Sequence, residues 1–145
     1  MMRLLLLISF VWNCWLKNNT FTFETVLSHP SKLDFLKNAR QRGYKNYLYF
    51  VCTVNPAINI ARVAQRVQLG GHDVPSDKIK SRYYSSLELL ADLIPHTYHT
   101  YFFDNSFEDS EIRLVAEIEN GSAFIPKAEE IPWRVDKYVI SKLFI

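Results

Sequence analysis

The stretch RVQLGGHDVPSDKIKSRYYSSLELL, residues 66–90, carries the side chains of this sequence best suited to holding an anion. Arg62 and Arg66 lie four apart on the polar side of one helical pattern. That like-charge spacing costs about 0.2–0.5 kcal/mol unless something negative lies between them. A Gly70-Gly71-His72 corner follows, where the missing Cβ lets backbone approach a ligand, and Arg82 sits on the helical pattern beyond it. Guanidinium donors match two phosphate oxygens at once, so two arginine-bearing helices closing about a glycine hinge suit a phosphate-binding lid. The alternative for each arginine is a solvated face neutralised by Asp or Glu from elsewhere. His72 either contacts a substrate or packs at the turn.

A second group lies earlier, in TFTFETVLSH, residues 20–29. Glu24 sits among apolar residues near the carboxyl end of a strand-like pattern, followed by Thr25, Ser28 and His29. Ligands of open α/β sheets bind at that end of the strands, so this carboxylate is expected to be functional. His96 and His99 have a metal-like spacing but no third ligand nearby, and no metal site is expected. Cys14 and Cys52 stand alone, without CxxC or CxH spacing, which points to a reducing compartment.

The elements that would position these groups alternate along the chain. Residues 20–29 read as a strand with Phe21 and Phe23 on one face. SKLDFLKNARQRG reads as a helix, with Ser31 and Asp34 at capping-box spacing and Gly43 at the exit. NYLYFVCT is a continuous apolar run, as expected of a strand covered on both faces, and the three together make a βαβ unit. Asn55 and Pro56 then open a helix faced by Ile60, Val63, Ala64 and Val67 and ended by Gly70 and Gly71. Another helix begins near Pro75 and runs to about His96, with Ile79, Tyr83, Leu87, Leu90 and Ile94 on one stripe. YHTYFFDNS returns to strand, and IRLVAEIENGSAFI reads as a hairpin turning at Asn120-Gly121. The C-terminal EEIPWRVDKYVISKLFI is weakly helical. The expected fold class is α/β, a largely parallel sheet with helices on its faces plus a C-terminal hairpin.

Composition sets the outer bounds. A chain of 145 residues with 48% hydrophobic content is one domain with a real core. A formal net charge of +2, with the basic residues dispersed, gives no case for a nucleic-acid partner. The start, MMRLLLLISFVWNCWLK, resembles a signal peptide, with Arg3 before an apolar run from Leu4 to Trp12. No small-residue cleavage site follows, and the run is too short to span a bilayer, so a cytoplasmic chain without membrane contact is expected. We divide the sequence into a leader at 1–19, a main part at 20–121 and an extension at 122–145.

Four segments taken in order, FTFETVLSHPSKLDFLKNARQRGY, YLYFVCTVNPAINIARVAQRV, GGHDVP and RYYSSLELL, resemble the zeta-toxin-like family of P-loop kinases. The likeness runs from about Thr20 to about Gly121. It implies a P-loop kinase-like fold and the transfer of the γ-phosphate of ATP, with Mg²⁺, to a hydroxyl such as one on UDP-N-acetylglucosamine. It further implies that Arg66 and Arg82 are catalytic lid arginines, neutralising charge on the transferring phosphoryl group. By the same resemblance Glu24 and Thr25 match the substrate-side strand motif; with them we place Ser28 and His72 among the candidate substrate-binding residues, and Arg62, Gly70 and Gly71 in the candidate nucleotide-binding lid. Ser85 departs from the pattern, since relatives often carry Arg there.

A larger departure is the phosphate loop. G-x-x-x-x-G-K-[ST] works because its backbone N–H groups cradle phosphates and its Lys reaches the β and γ oxygens. This sequence has four glycines, and none begins such a motif. The family's loop and catalytic Asp lie upstream of the Glu24 strand, where this chain has only its apolar leader. The expectation is therefore the C-terminal part of a kinase, inactive alone. The alternative is a non-catalytic module that binds a nucleotide sugar or an antitoxin-like partner protein.

Overall fold

The first helix, α1 (Ser31–Gln41), stops where Gly43 takes φ +86°, a left-handed exit open to glycine. Its start departs from the capping box expected of Ser31 and Asp34, since neither side chain caps it. His29 does that work: its Nδ1 accepts from the Ser31 N–H at 3.2 Å and lies 2.9 Å from the Ser31 hydroxyl. This computed structural model describes residue 17 and residues 19–107 and 111–144. The apolar run at 4–12 and Cys14 lie outside the described residues.

After α1 come β1 (Tyr47–Cys52), α2 (Pro56–Gln68), α3 (Ser76–Glu88), the short α4 (Leu90–Leu93) and a 3₁₀ turn at Ile94–His96. Then follow β2 (His99–Asp104), β3 (Arg113–Glu119) and β4 (Ala123–Pro126). A last helical run comprises α5 (Trp133–Val135), a π-helical turn at Asp136–Ile140 and α6 (Ser141–Leu143). The start of α2 follows its sequence signal, because the Asn55 side chain accepts from the Ala57 N–H at 2.8 Å and Pro56 has no N–H to satisfy. The single helix expected over residues 75–96 is broken at Leu89, and its end tightens into the 3₁₀ turn that contains Pro95. Its stripe nevertheless survives, with Tyr83, Leu87, Leu90 and Ile94 buried.

The sheet corrects the expected topology. Its order is β1-β2-β3-β4, and only β1 and β2 are parallel; β2–β3 and β3–β4 are antiparallel. The fold is thus mixed α/β rather than a largely parallel sheet. The strand expected at 20–29 forms no ladder: residues 19–28 run without regular secondary structure. The parallel crossover is instead β1 to β2 by way of α2, α3 and α4. A bulge in β3 sets Phe102 opposite Ala116 and Phe103 opposite Leu114, which leaves Val115 as the extra residue. Both Val115 and Ala116 are buried as a result.

The core lies against one face of the sheet. Phe50 from β1 and Phe102 from β2 meet edge to face at 6.2 Å, and Leu87, Leu90, Leu93, Ile94, Ile118 and Val139 close around them. Tyr47, Tyr49 and Val51 alternate to the opposite face and are each at least half exposed. The expectation that β1 is covered on both faces therefore fails among the described residues. The apolar run there is aromatic, and its tyrosines stack along the strand surface, with Tyr49 on Tyr101 at 4.9 Å. The last helical run packs into the same core as the rest, through Val135, Tyr138 and Val139.

The hairpin turns where its sequence says. Asn120 and Gly121 have φ of +51° and +68°, the pair of left-handed residues that a type I′ turn needs. The tip also presses on the 3₁₀ turn, since a Cβ on Gly121 would lie 2.8 Å from the Ile94 carbonyl oxygen and from Pro95 Cα. Gly43 has a similar φ with nothing within 4 Å. Urea unfolding should therefore separate the two: Gly43→Ala loses about 1–2 kcal/mol for the left-handed backbone alone. Gly121→Ala loses a further ~1–3 kcal/mol from overpacking, and equal losses would show that the tip does not bear on the turn.

Candidate functional site

Between the irregular segment at 20–27 and β1 lies a broad cleft of about 1400 Å³. Phe21 and Phe23 shape one wall and pack on Phe35 of α1, with ring centroids 6.3 and 5.0 Å away. β1 forms the other wall, and α2 and α3 bring Arg62 and Arg82 to it. The wall from 20 to 27 ends in a local device: the Thr25 hydroxyl accepts from the Leu27 N–H at 3.2 Å. Leu27 is buried with φ +57°, so its side chain is driven into the core at the cost of left-handed backbone.

Four of the residues singled out in the sequence line this cleft: Glu24 and Thr25 from the irregular segment, Arg62 from α2 and Arg82 from α3. Arg62 is already engaged, donating from Nη1 to the Asn105 carbonyl at 2.9 Å. Arg66 and His72 are exposed, and they do not line the cleft; nor do Ser28, Gly70 and Gly71. The glycine pair has a purely local explanation. Gly70, at φ +89°, donates to Val67 O at 3.0 Å, and Gly71 donates to Arg66 O at 2.8 Å. These are the two bonds of a Schellman motif. A Cβ on Gly71 would lie 2.8 Å from the Arg66 carbonyl oxygen, so the second glycine lets the chain fold back on the helix end. His99 Nε2 lies 3.0 Å from Glu117 Oε2 across the β2–β3 ladder, so its partner is this carboxylate rather than His96.

The sequence reading missed a buried polar cluster at the carboxyl ends of β1 and β2. Arg134, on α5, is 1% exposed. Its Nε lies 2.7 Å from Cys52 Sγ, and its Nη2 lies 3.0 Å from Asp104 Oδ1 without an aligned hydrogen bond. Asp104 Oδ1 also accepts from the Ser106 N–H at 3.0 Å and from the Ser106 hydroxyl. That hydroxyl oxygen accepts in turn from the Val54 N–H at 2.8 Å. Nearby, the Tyr83 hydroxyl donates to Thr53 O at 2.7 Å, and burial pushes its pKa up to about 12.

Burial acts on all three members of the central cluster. It raises the Cys52 thiol, and nearby Arg134 only partly opposes it, so the sulfur is a neutral, poor nucleophile at pH 7. For Asp104, burial pushes upward, but the hydrogen bonds from Ser106 and the adjacent Arg134 cation outweigh it and hold the carboxyl below the usual range. Arg134 stays charged despite burial, because Cys52 and Asp104 stabilise its cation. The arrangement is a clamp joining the last helix to the strand ends. A lone Arg inside the apolar WRV was its only trace in the sequence.

The described residues do not fit a seat for ATP and Mg²⁺. No phosphate loop is present in the sequence, and Glu24 is the one carboxylate lining the cleft. No described helix is long and apolar enough to cross a membrane.

The clamp has an acid signature. The folded-state pKa of Asp104 is below its unfolded value, so its contribution is complete above about pH 3.9 and is lost as pH falls toward the folded value. Asp104→Asn should lose about 3–5 kcal/mol by leaving a buried cation unbalanced and should flatten that part of the stability–pH profile. Thermal unfolding across pH 2–7 measures both; an unchanged profile would show that Asp104 does not carry the acid limb.

Among known proteins, an uncharacterized protein of Haemophilus influenzae is 35% identical over 63 residues. The match covers 43% of this chain, and the chain spans 45% of the length of that relative. No family model matches the chain, and no solved structure matches it.

Proposed function

We propose that this chain is the lid and substrate-side part of a zeta-toxin-like phosphotransferase, and that alone it binds a phosphorylated ligand such as a nucleotide sugar without transferring phosphate. The observation that carries this reading is the shared cleft: Arg62 and Arg82 reach it from two helices, and Glu24 and Thr25 line it from the irregular segment. Arginines, a carboxylate and a hydroxyl lining one cleft suit a ligand that carries both phosphate and hydroxyls. Arg82 is the principal anion-binding group, since Arg62 already spends a donor on Asn105. Arg66 and His72 would join only if the ends of α2 and α3 swing inward.

Phosphoryl transfer rests on positioning and charge neutralisation. The sequence lacks the loop amides, the Lys and the Mg²⁺-holding hydroxyl that would supply them. Lid arginines act only on a nucleotide that is already held in line. Calorimetric titration of the full chain with UDP-N-acetylglucosamine should give weak binding, reduced by about 1.5–3 kcal/mol in Arg82→Ala if the contact is charge-assisted. Absence of heat, or an unaffected variant, removes the reading. Labelled ATP with Mg²⁺ and the same sugar nucleotide should give no product, and turnover abolished by Arg82→Ala would show that the chain is a complete enzyme. The second reading, a partner-binding module, is favoured by one separate feature, the outer edge of β1, which no described strand pairs.

A further inference from the structure

We propose that the outer edge of β1 is a strand-addition site for an extended segment of a partner protein, apolar along its middle and acidic at the end beside Arg62 and Arg82. The direction of the main chain in β1 follows from its flanking bonds. Asn46 O accepts from Tyr98 N at 2.8 Å, and Cys52 O accepts from Asn105 N at 2.9 Å, so the even-numbered residues aim their backbone groups toward β2. Strand alternation then points the N–H and C=O groups of Tyr47, Tyr49 and Val51 outward. Among the described residues no strand lies on that side.

An edge of this kind is ordinarily blunted by proline, by charge or by a bulge. Tyr47–Cys52, YLYFVC, has no proline and no charged residue, and its pairing with β2 runs without a register shift. The groove beside it is walled on the far side by the irregular segment, with Phe21 and Phe23 giving it an apolar lining. It therefore has the form of a slot for one extended chain, which main-chain hydrogen bonds would hold and alternate side chains would select.

Charge selects the occupant. Lys32, Lys45, Arg62 and Arg82 line the cleft against Glu24, four cations to one carboxylate. A second copy pairing through its own YLYFVC would bring no acidic residue, and the apolar run at 4–12 of this chain contains none either. An acidic-ended partner strand is the occupant that complements the slot. This inference shares the arginines of the cleft with the phosphorylated-ligand reading but adds the edge itself, which binds through backbone while that ligand binds through side chains.

The test begins with amide hydrogen exchange on the free full chain. Fast exchange at Tyr49 and Val51 is expected. Protection there means that the edge is already filled and overturns the proposal, with concentration dependence telling a second copy from the chain's own residues. The probe is a fluorescent eight-residue peptide with six apolar residues and two aspartates, made with the acidic pair at either end. One version should bind and protect Tyr49 and Val51, whereas the same peptide N-methylated at alternate residues, or carrying lysines for aspartates, should not. Tyr49→Pro removes one outward N–H and leaves the β2 ladder intact, so it should weaken the peptide about tenfold, while Tyr49→Ala changes it less. Sugar-nucleotide binding by Tyr49→Pro should be unchanged, which separates the two sites. Failure of both peptides at millimolar concentration, or equal binding by the N-methylated or lysine versions, overturns strand addition.

Discussion

A guanidinium with 1% exposure must have its charge answered from within the protein, and Arg134 meets that demand at the carboxyl ends of the one parallel strand pair. Removing such a cation from water costs several kcal/mol, so it is tolerated only where anionic and hydrogen-bonding partners are fixed in advance. Asp104 is fixed by the N–H and hydroxyl of Ser106, and Ser106 is fixed by the N–H of Val54. The order of β1's exit, β2's exit and α5 is thereby locked through a single charge. The inner wall of the cleft ends at Cys52 and Thr53, within this lock, so the last helical run helps to shape a site that its own side chains do not line.

The glycine corner shows how one local signal serves two readings. Gly-Gly after an arginine-bearing helix suits close approach of a ligand, but it equally suits a Schellman stop, and the two bonds to Val67 O and Arg66 O consume the carbonyls at that end. Once the helix is stopped there, Arg66 and His72 project to solvent, while Arg62, one turn earlier, turns inward to Asn105. A spacing of four places two side chains on one helix face only approximately. The rotation of the helix against its neighbour α3 decides which of the two reaches the cleft.

The same logic governs what was legible. The Asn55-Pro56 start and the Asn120-Gly121 turn were readable because their energetics close within a few residues. The stripe from Tyr83 to Ile94 was readable despite the break at Leu89, since its period is set by burial rather than by an unbroken helix. Sheet direction was not readable: a strand pattern carries no mark of its partner, and residues 20–28, strand-like in composition, form no ladder at all. The covering of β1 was misjudged because Tyr serves on an exposed aromatic surface as readily as in a core. Of the candidate site, Glu24, Thr25, Arg62 and Arg82 line one cleft, but the Arg134 clamp joins groups 30 and 82 positions apart and leaves no periodic trace.

The two binding modes proposed for the cleft answer to different physics yet share a mechanical link. Main-chain pairing along Tyr47–Val51 is short-ranged and insensitive to salt, whereas attraction to the cationic end weakens as ionic strength rises. Arg82 belongs to the second mode. Its neighbour Tyr83 donates its hydroxyl to Thr53 O at the exit of β1, and burial keeps that hydroxyl protonated across the physiological range. That bond ties the helix carrying Arg82 to the end of the strand whose outer edge no described strand pairs.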